Sequence, residues 1–194
     1  MSPEKRPDRA IRIAKRAGIP LKIAAKVDKV DNAYFRKDIL PLIDNSPGVE
    51  FIGEINEREK TKFLGEAAAL IFPIDWPEPF GLVMIEAMAC GTPVMAFRRG
   101  AVPEIVEDGI TGKVVDSEYE AVAALPEIVS YDRRAIRQRF EERFTAARMA
   151  SEYASTYRQL LNKPIIEYNS SQRRPQLNGG TDLTFGDCST PASS

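Results

Sequence analysis

The sequence predicts an α/β fold of the Rossmann-like, doubly wound kind, a largely parallel sheet of about six strands with helices on both faces. Three observations predict it. Short apolar runs bounded by Gly, Pro, Asn or Asp alternate with helix-period segments along residues 1–120. Residues 67–97 contain a complete strand, loop, helix and strand in succession. Hydrophobic content of 43% with 28% charged residues is ordinary globular composition, enough for one domain with a core.

In order, residues 3–18 read as a helix with Pro3 and Pro7 near its start, Ala10, Ile11, Ile13, Ala14 and Ala17 on one side, and Gly18 closing it. Residues 21–27 form the next strand and 31–45 the next helix, in which Pro41 should cause a break or kink. Pro47-Gly48 turns the chain into a strand over 49–53. Asn56 caps the helix that follows, with Glu57 and Glu59 in its first turn. After the central unit come a short helix over 102–106, a turn at 109–112 and a strand at 113–115. Helices over 117–129, 132–143 and 145–161 complete a domain spanning 1–162. The last helix carries a stripe of Met149, Tyr153, Thr156 or Tyr157, and Leu160 that reads as packing. Residues 163–194 are polar, rich in Ser, Gly, Pro and Asn, and read as a disordered tail.

The central unit carries the chemistry. An apolar run ends at Pro73, an acidic Pro-rich loop follows, and a helix runs from about Gly81 to Cys90, where Gly91 and Pro93 end it. This places a loop and a helix N-terminus at a strand's carboxyl edge, where open α/β sheets bind ligands. Glu78 lies in the loop and Glu86 in the helix, seven residues apart. A carboxylate accepts hydrogen bonds from two vicinal hydroxyls, and free amides near Phe80, Gly81, Leu82 and Val83 suit phosphate or sugar oxygens. A ligand with hydroxyls at both ends and phosphate between them, a nucleotide sugar, fits that set. Glu78 as a helix cap and Glu86 as a surface charge is the competing reading. The apolar neighbours Val83, Met84, Ile85, Ala87 and Met88 weaken it for Glu86.

Glu78-Pro79-Phe80-Gly81 through Glu86-Ala87-Met88-Ala89-Cys90-Gly91-Thr92-Pro93-Val94 resembles the Glu-x7-Glu signature of retaining GT-B glycosyltransferases of family 4, the group 1 enzymes. Residues Gly100 to Val106, Gly109 to Gly112, and Ser2 to Arg6 are similar to further motifs of that family in the same order. The resemblance implies one half of a GT-B fold, the C-terminal, donor-binding domain. It also implies roles. Lys5 binds the donor diphosphate and shares catalysis with Glu78; Glu78 holds sugar hydroxyls; the amides of Phe80, Gly81 and Leu82, with Val83, line the sugar-diphosphate; Glu86 holds the ribose. Ile55, with Lys60, falls where relatives touch the base, although Ile55 reads equally well as core. The family's diphosphate-binding Arg would precede Met1. The acceptor half, with its Gly-rich loop and His, has no counterpart here, so the isolated chain is expected to transfer nothing without an acceptor-binding domain or subunit.

Composition narrows the partners. A formal net charge of −1 argues against nonspecific nucleic-acid binding. With no His and only Cys90 and Cys188, the chain lacks a Ser-His-Asp triad and any obvious metal cluster, so no cofactor beyond the donor is expected. No run approaches ~18 apolar residues and no signal-peptide core is evident, which makes the cytoplasm the expected location. Arg98 and Arg99 could face a phosphate or simply be solvated. A sugar-nucleotide epimerase of the same fold, and a non-enzymatic binding module, share the ligand without the chemistry. A phosphoacceptor domain would need an Asp cluster at strand ends, where only Asp28, Asp31 and Asp75 are plausibly placed.

Overall fold

The computed structural model describes residues 1–162, and the expected tail over 163–194 lies outside them. One compact unit spans Met1–Ala154, and a second unit begins at Ser155. The architecture is α/β with parallel ladders, as the alternation predicts. The described residues hold five strands rather than six: β1 (Leu21–Ala24), β2 (Val49–Gly53), β3 (Leu70–Phe72), β4 (Val94–Phe97) and β5 (Gly112–Val115). They form two ladders, β1-β2 and β3-β4-β5, with every pairing parallel.

β4 shows why the fold is doubly wound. Successive strand side chains alternate between faces. Val94 and Ala96 enter one core cluster with Leu64, Phe72, Met84 and Met88, while Met95 and Phe97 enter another with Ile13, Val115, Leu125 and Ile128. All four β4 residues are buried, as expected of a central parallel strand covered on both sides. Helices α1 (Pro7–Ala17) and α7 (Glu118–Ile128) pack together on the Met95 face, and α5 (Leu82–Ala89) and α8 (Arg133–Arg143) on the Val94 face.

Asn56 acts as the cap the sequence predicts, and three further helix starts are capped by side chains. Asn56 accepts from the Arg58 and Glu59 amides, and the Glu59 carboxylate accepts from the Asn56 amide, a complete capping box on α4 (Glu57–Glu66). Ser117, Asp132 and Thr145 accept from the first-turn amides of α7, α8 and α9 (Ala146–Leu161).

Three expectations change. The helix over 3–18 is divided: a 3-10 turn over Pro3–Lys5 stops at Arg6, whose backbone is left-handed (φ 50°), and α1 begins afresh at Pro7. Around Pro41 the helix does not break. α2 (Asn32–Tyr34) passes through a π turn over Phe35–Ile39 into α3 (Leu40–Asp44), and the wider turn accommodates proline's missing N–H. Met149, Tyr153, Tyr157 and Leu160 of the α9 stripe are exposed rather than buried.

Candidate functional site

The β3–α5 connection sits at the carboxyl end of β3, held by contacts from three other segments. Asp75 is its anchor. Its carboxylate accepts from Arg6 Nη1 at 2.8 Å, Arg9 Nη2 at 3.2 Å and Arg99 Nε at 3.0 Å, and its amide donates to Glu4 O at 2.9 Å. Burial pushes the Asp75 carboxyl up, but the three guanidinium groups outweigh it and hold it below its ordinary range. Arg6 also clamps Asp8, a second reason its strained backbone persists.

Glu78 is fixed by backbone and side chain together. Its carbonyl accepts from the Ala101 amide at 2.8 Å. Gly100 (φ 52°) makes this approach possible: a Cβ built there would lie 2.5 Å from the Glu78 nitrogen and closer still to its carbonyl oxygen. Glu78 Oε2 accepts from Lys5 Nζ at 3.1 Å and from Trp76 Nε1 at 3.0 Å, with the Phe80 amide turned to the same carboxylate. Burial raises the Glu78 carboxyl, but these donors and the Lys5 charge more than offset it, so the group stays ionised below the usual carboxylate range. The Lys5 ammonium is also 5.7 Å from the Trp76 ring centre.

Gly81 (φ 79°) is the residue before α5, and a Cβ there would fall 2.6 Å from Met84 Cε. The helix carries Glu86 in its second turn. Glu86 Oε1 accepts from Lys60 Nζ at 2.8 Å, and Lys60 in turn bridges to Glu57 at 2.9 Å. The hydrogen bond from Lys60 to Glu86 raises the Lys60 ammonium above its ordinary value, so it is charged at neutral pH.

Only part of the predicted set borders one hollow of ≈ 500 Å³. Lys5, Ile55, Lys60 and Val83 line it. Glu78 and Glu86 do not; each reaches its rim through a lysine that does. Phe80 and Leu82 are exposed, and the Phe80 and Phe144 rings are nearly perpendicular with centres 6.3 Å apart. Arg99 faces Asp75 and Arg98 faces Asp116, so both arginines have carboxylate partners in this state. Asp28 pairs with Lys26, and among the described residues no group of three acidic, His or Cys side chains is placed to hold a metal ion. Sequence reasoning missed Asp75 as the hub and Trp76 as a Glu78 donor. The only signal was their position in the acidic loop.

A Rossmann-like α/β half with a carboxylate-bearing loop and helix at the strand ends defines the class of fold. The profile of the family Glycosyl transferases group 1 matches residues 1–145, and the chain belongs to that family. A D-inositol 3-phosphate glycosyltransferase of Mycobacterium bovis BCG is 33% identical over 116 residues, covering 57% of this chain and 24% of the relative. Among solved structures, Anabaena HepE in complex with UDP and glucose superposes with a TM-score of 0.71 at 21% identity, covering 82% of this chain and 46% of that one. Sucrose-phosphate synthase from Thermosynechococcus elongatus gives 0.68 at 28% identity, with 82% and 43% covered. The chain therefore spans less than half the length of these proteins. No helix of the described residues is long and apolar enough to cross a membrane.

Proposed function

We propose that this chain is the donor-binding part of a retaining glycosyltransferase of family 4, taking a nucleotide-diphosphate sugar and acting with an acceptor-binding domain or subunit. The observation that carries the reading is the pairing of both signature carboxylates with lysines on one rim, Lys5–Glu78 and Lys60–Glu86. An ionised carboxylate beside a cation is suited to a ligand that bears both hydroxyls and phosphate. Glu78 would accept from sugar hydroxyls while Lys5 turns to the diphosphate, and Glu86 would accept from the ribose, with Lys60 and Ile55 toward the base. The first-turn amides of α5 at Leu82 and Val83 add fixed partial positive charge.

Transfer breaks the bond between the anomeric carbon and the diphosphate, so positive charge grows on the sugar and negative charge on the leaving group. Lys5 and the helix N-terminus stabilise that negative charge, and no metal is required in this scheme. Hydrogen bonds from Trp76 and Lys5 keep Glu78 ionised before the ligand arrives. The names of the relatives, with UDP and glucose in HepE, fit a sugar-nucleotide ligand. A cytoplasmic site of action is part of the same reading.

Calorimetric titration of the chain with UDP- and GDP-sugars tests it. Binding of at least one donor without turnover is expected. A folded chain that binds none contradicts donor binding, and turnover by the chain alone contradicts dependence on an acceptor partner.

A further inference from the structure

Glu78 and its indole partner come from one tight turn. The Glu78 amide donates to Trp76 O at 2.8 Å, and Pro77 between them fixes the backbone, so side chains two positions apart meet on one side. Asp75, bound by Arg6, Arg9 and Arg99, holds the stem of that turn. The outcome is a hydrogen bond of 3.0 Å from Trp76 Nε1 to Glu78 Oε2. Trp76 is 40% exposed, so packing alone does not fix its ring; the bond to Glu78 is its specific tie.

The two side-chain donors on Glu78 differ in what a ligand can do to them. Lys5 is charged, half-exposed and carried on a long stem, whereas the Glu78 side chain is only 12% exposed. A diphosphate competes for the ammonium, and in the scheme above Lys5 turns to it. Glu78 would then keep its burial and lose its cation, which by itself favours the neutral acid. The indole N–H belongs to a rigid ring held in the same turn as Glu78, so it has no free stem with which to follow the anion. Of the donors that oppose burial at this carboxylate, the indole has the largest effect, ahead of Lys5. Both side-chain donors also use Oε2, and among the described residues Oε1 has no side-chain partner. A carboxylate held by one oxygen presents the other in a fixed direction.

We propose that Trp76 is the positioning residue for Glu78: its indole N–H stays on Oε2 when Lys5 leaves for the diphosphate, so that Oε1 remains aimed at a sugar hydroxyl. Trp76 acts in this way only if Glu78 holds the sugar, the reading given under the proposed function.

Trp76 is the chain's one tryptophan, so the native chain gives a single indole N–H resonance. Without ligand, that resonance is expected to titrate with Glu78, to stop titrating in Glu78→Gln, and to titrate at higher pH in Lys5→Met. An indole resonance indifferent to Glu78→Gln overturns the proposal whether or not a donor binds. Calorimetry with UDP-glucose and GDP-mannose, each against its free nucleoside diphosphate, supplies the second measurement. Trp76→Phe keeps a ring and removes the donor. It is expected to weaken the sugar nucleotide about tenfold, leave the free diphosphate unchanged, and move the acid limit of sugar-nucleotide binding to higher pH. Trp76→Gln returns an N–H donor and is expected to recover part of the loss. Equal weakening of both ligands in Trp76→Phe marks a merely structural role and overturns the proposal. Loss of sugar-nucleotide affinity in Glu78→Ala without loss in Trp76→Phe overturns it while sparing the donor reading. No loss in Glu78→Ala overturns the sugar-holding role and this proposal together.

Discussion

Lys5 Nζ lies 3.1 Å from Glu78 Oε2, although the two residues are 73 positions apart in the chain. The contact joins the first turn of the protein to the loop before α5, so the two segments with the most distinctive motifs meet at one point. Removing either member tests the site. Glu78→Ala is expected to weaken a UDP-sugar about tenfold or more, the cost of charge-assisted hydrogen bonds, while leaving UDP itself nearly unchanged, because the carboxylate addresses the sugar. Calorimetry with the two ligands reads the difference.

Glu86→Ala is expected to behave differently. If Glu86 holds the ribose, UDP and UDP-sugar weaken together, again by about tenfold or more. Equal losses for both ligands in Glu86→Ala and unequal ones in Glu78→Ala separate the two carboxylates by role.

Gly100→Ala acts through the backbone. Its Cβ would collide with the Glu78 main chain, and no flexible side chain is there to yield. The Glu78 loop must shift, so donor affinity is expected to fall at least as far as in Glu78→Ala, with a stability loss of roughly 2 kcal/mol or more. Titration and thermal unfolding of the same sample read both effects.

Arg133 is a structural counterpart outside the site. Its guanidinium donates to Gly65 O at 2.7 Å, Ala67 O at 2.8 Å and the buried Thr92 hydroxyl at 2.7 Å, tying the end of α4 to the start of the segment leading into β4. Arg133→Ala leaves these acceptors short of a donor and is expected to cost roughly 2–3 kcal/mol, or about 5–10 °C in Tm. Arg133→Lys, with one ammonium for three diverging acceptors, recovers only part of it.

Acid should loosen the α1–α7 contact. Hydrogen bonds from Arg12 hold the Glu118 carboxyl below its ordinary value, against the opposing effect of burial, and Arg16 adds to them. A carboxylate depressed in the folded state contributes stability that is fully present above its unfolded value near 4.3 and is lost as pH falls through the folded value. Glu107, held down by Arg139 and Arg143 against burial, adds a second contribution of the same sign. Tm is therefore expected to fall as pH drops below the unfolded carboxylate value near 4.3, and the gap between the native chain and Glu118→Gln should close as the pH falls further.

Much of the fold was legible because its signals are local. The Asn56–Glu59 box, the alternation of β4 and the glycine ends of α1 and α5 lie within a few residues of what they control. The site was legible only as a pattern of residue types. Nothing within a few residues of Glu86 announces Lys60, which comes from 26 positions upstream, and nothing near Asp75 announces Arg6, Arg9 and Arg99. Such partners are set by packing of whole elements, which spacing does not encode. The split of the sheet into two ladders was equally hidden, since β1 and β3 each read as ordinary strands whatever lies between them.

Chemical-shift mapping of the amide spectrum during titration with UDP-glucose and GDP-mannose tests the central claim most directly. The account predicts that at least one donor binds and shifts Lys5, Lys60, Glu78, Glu86 and the first turn of α5 together. Binding that leaves these residues unmoved, or no binding by a folded chain, would contradict it.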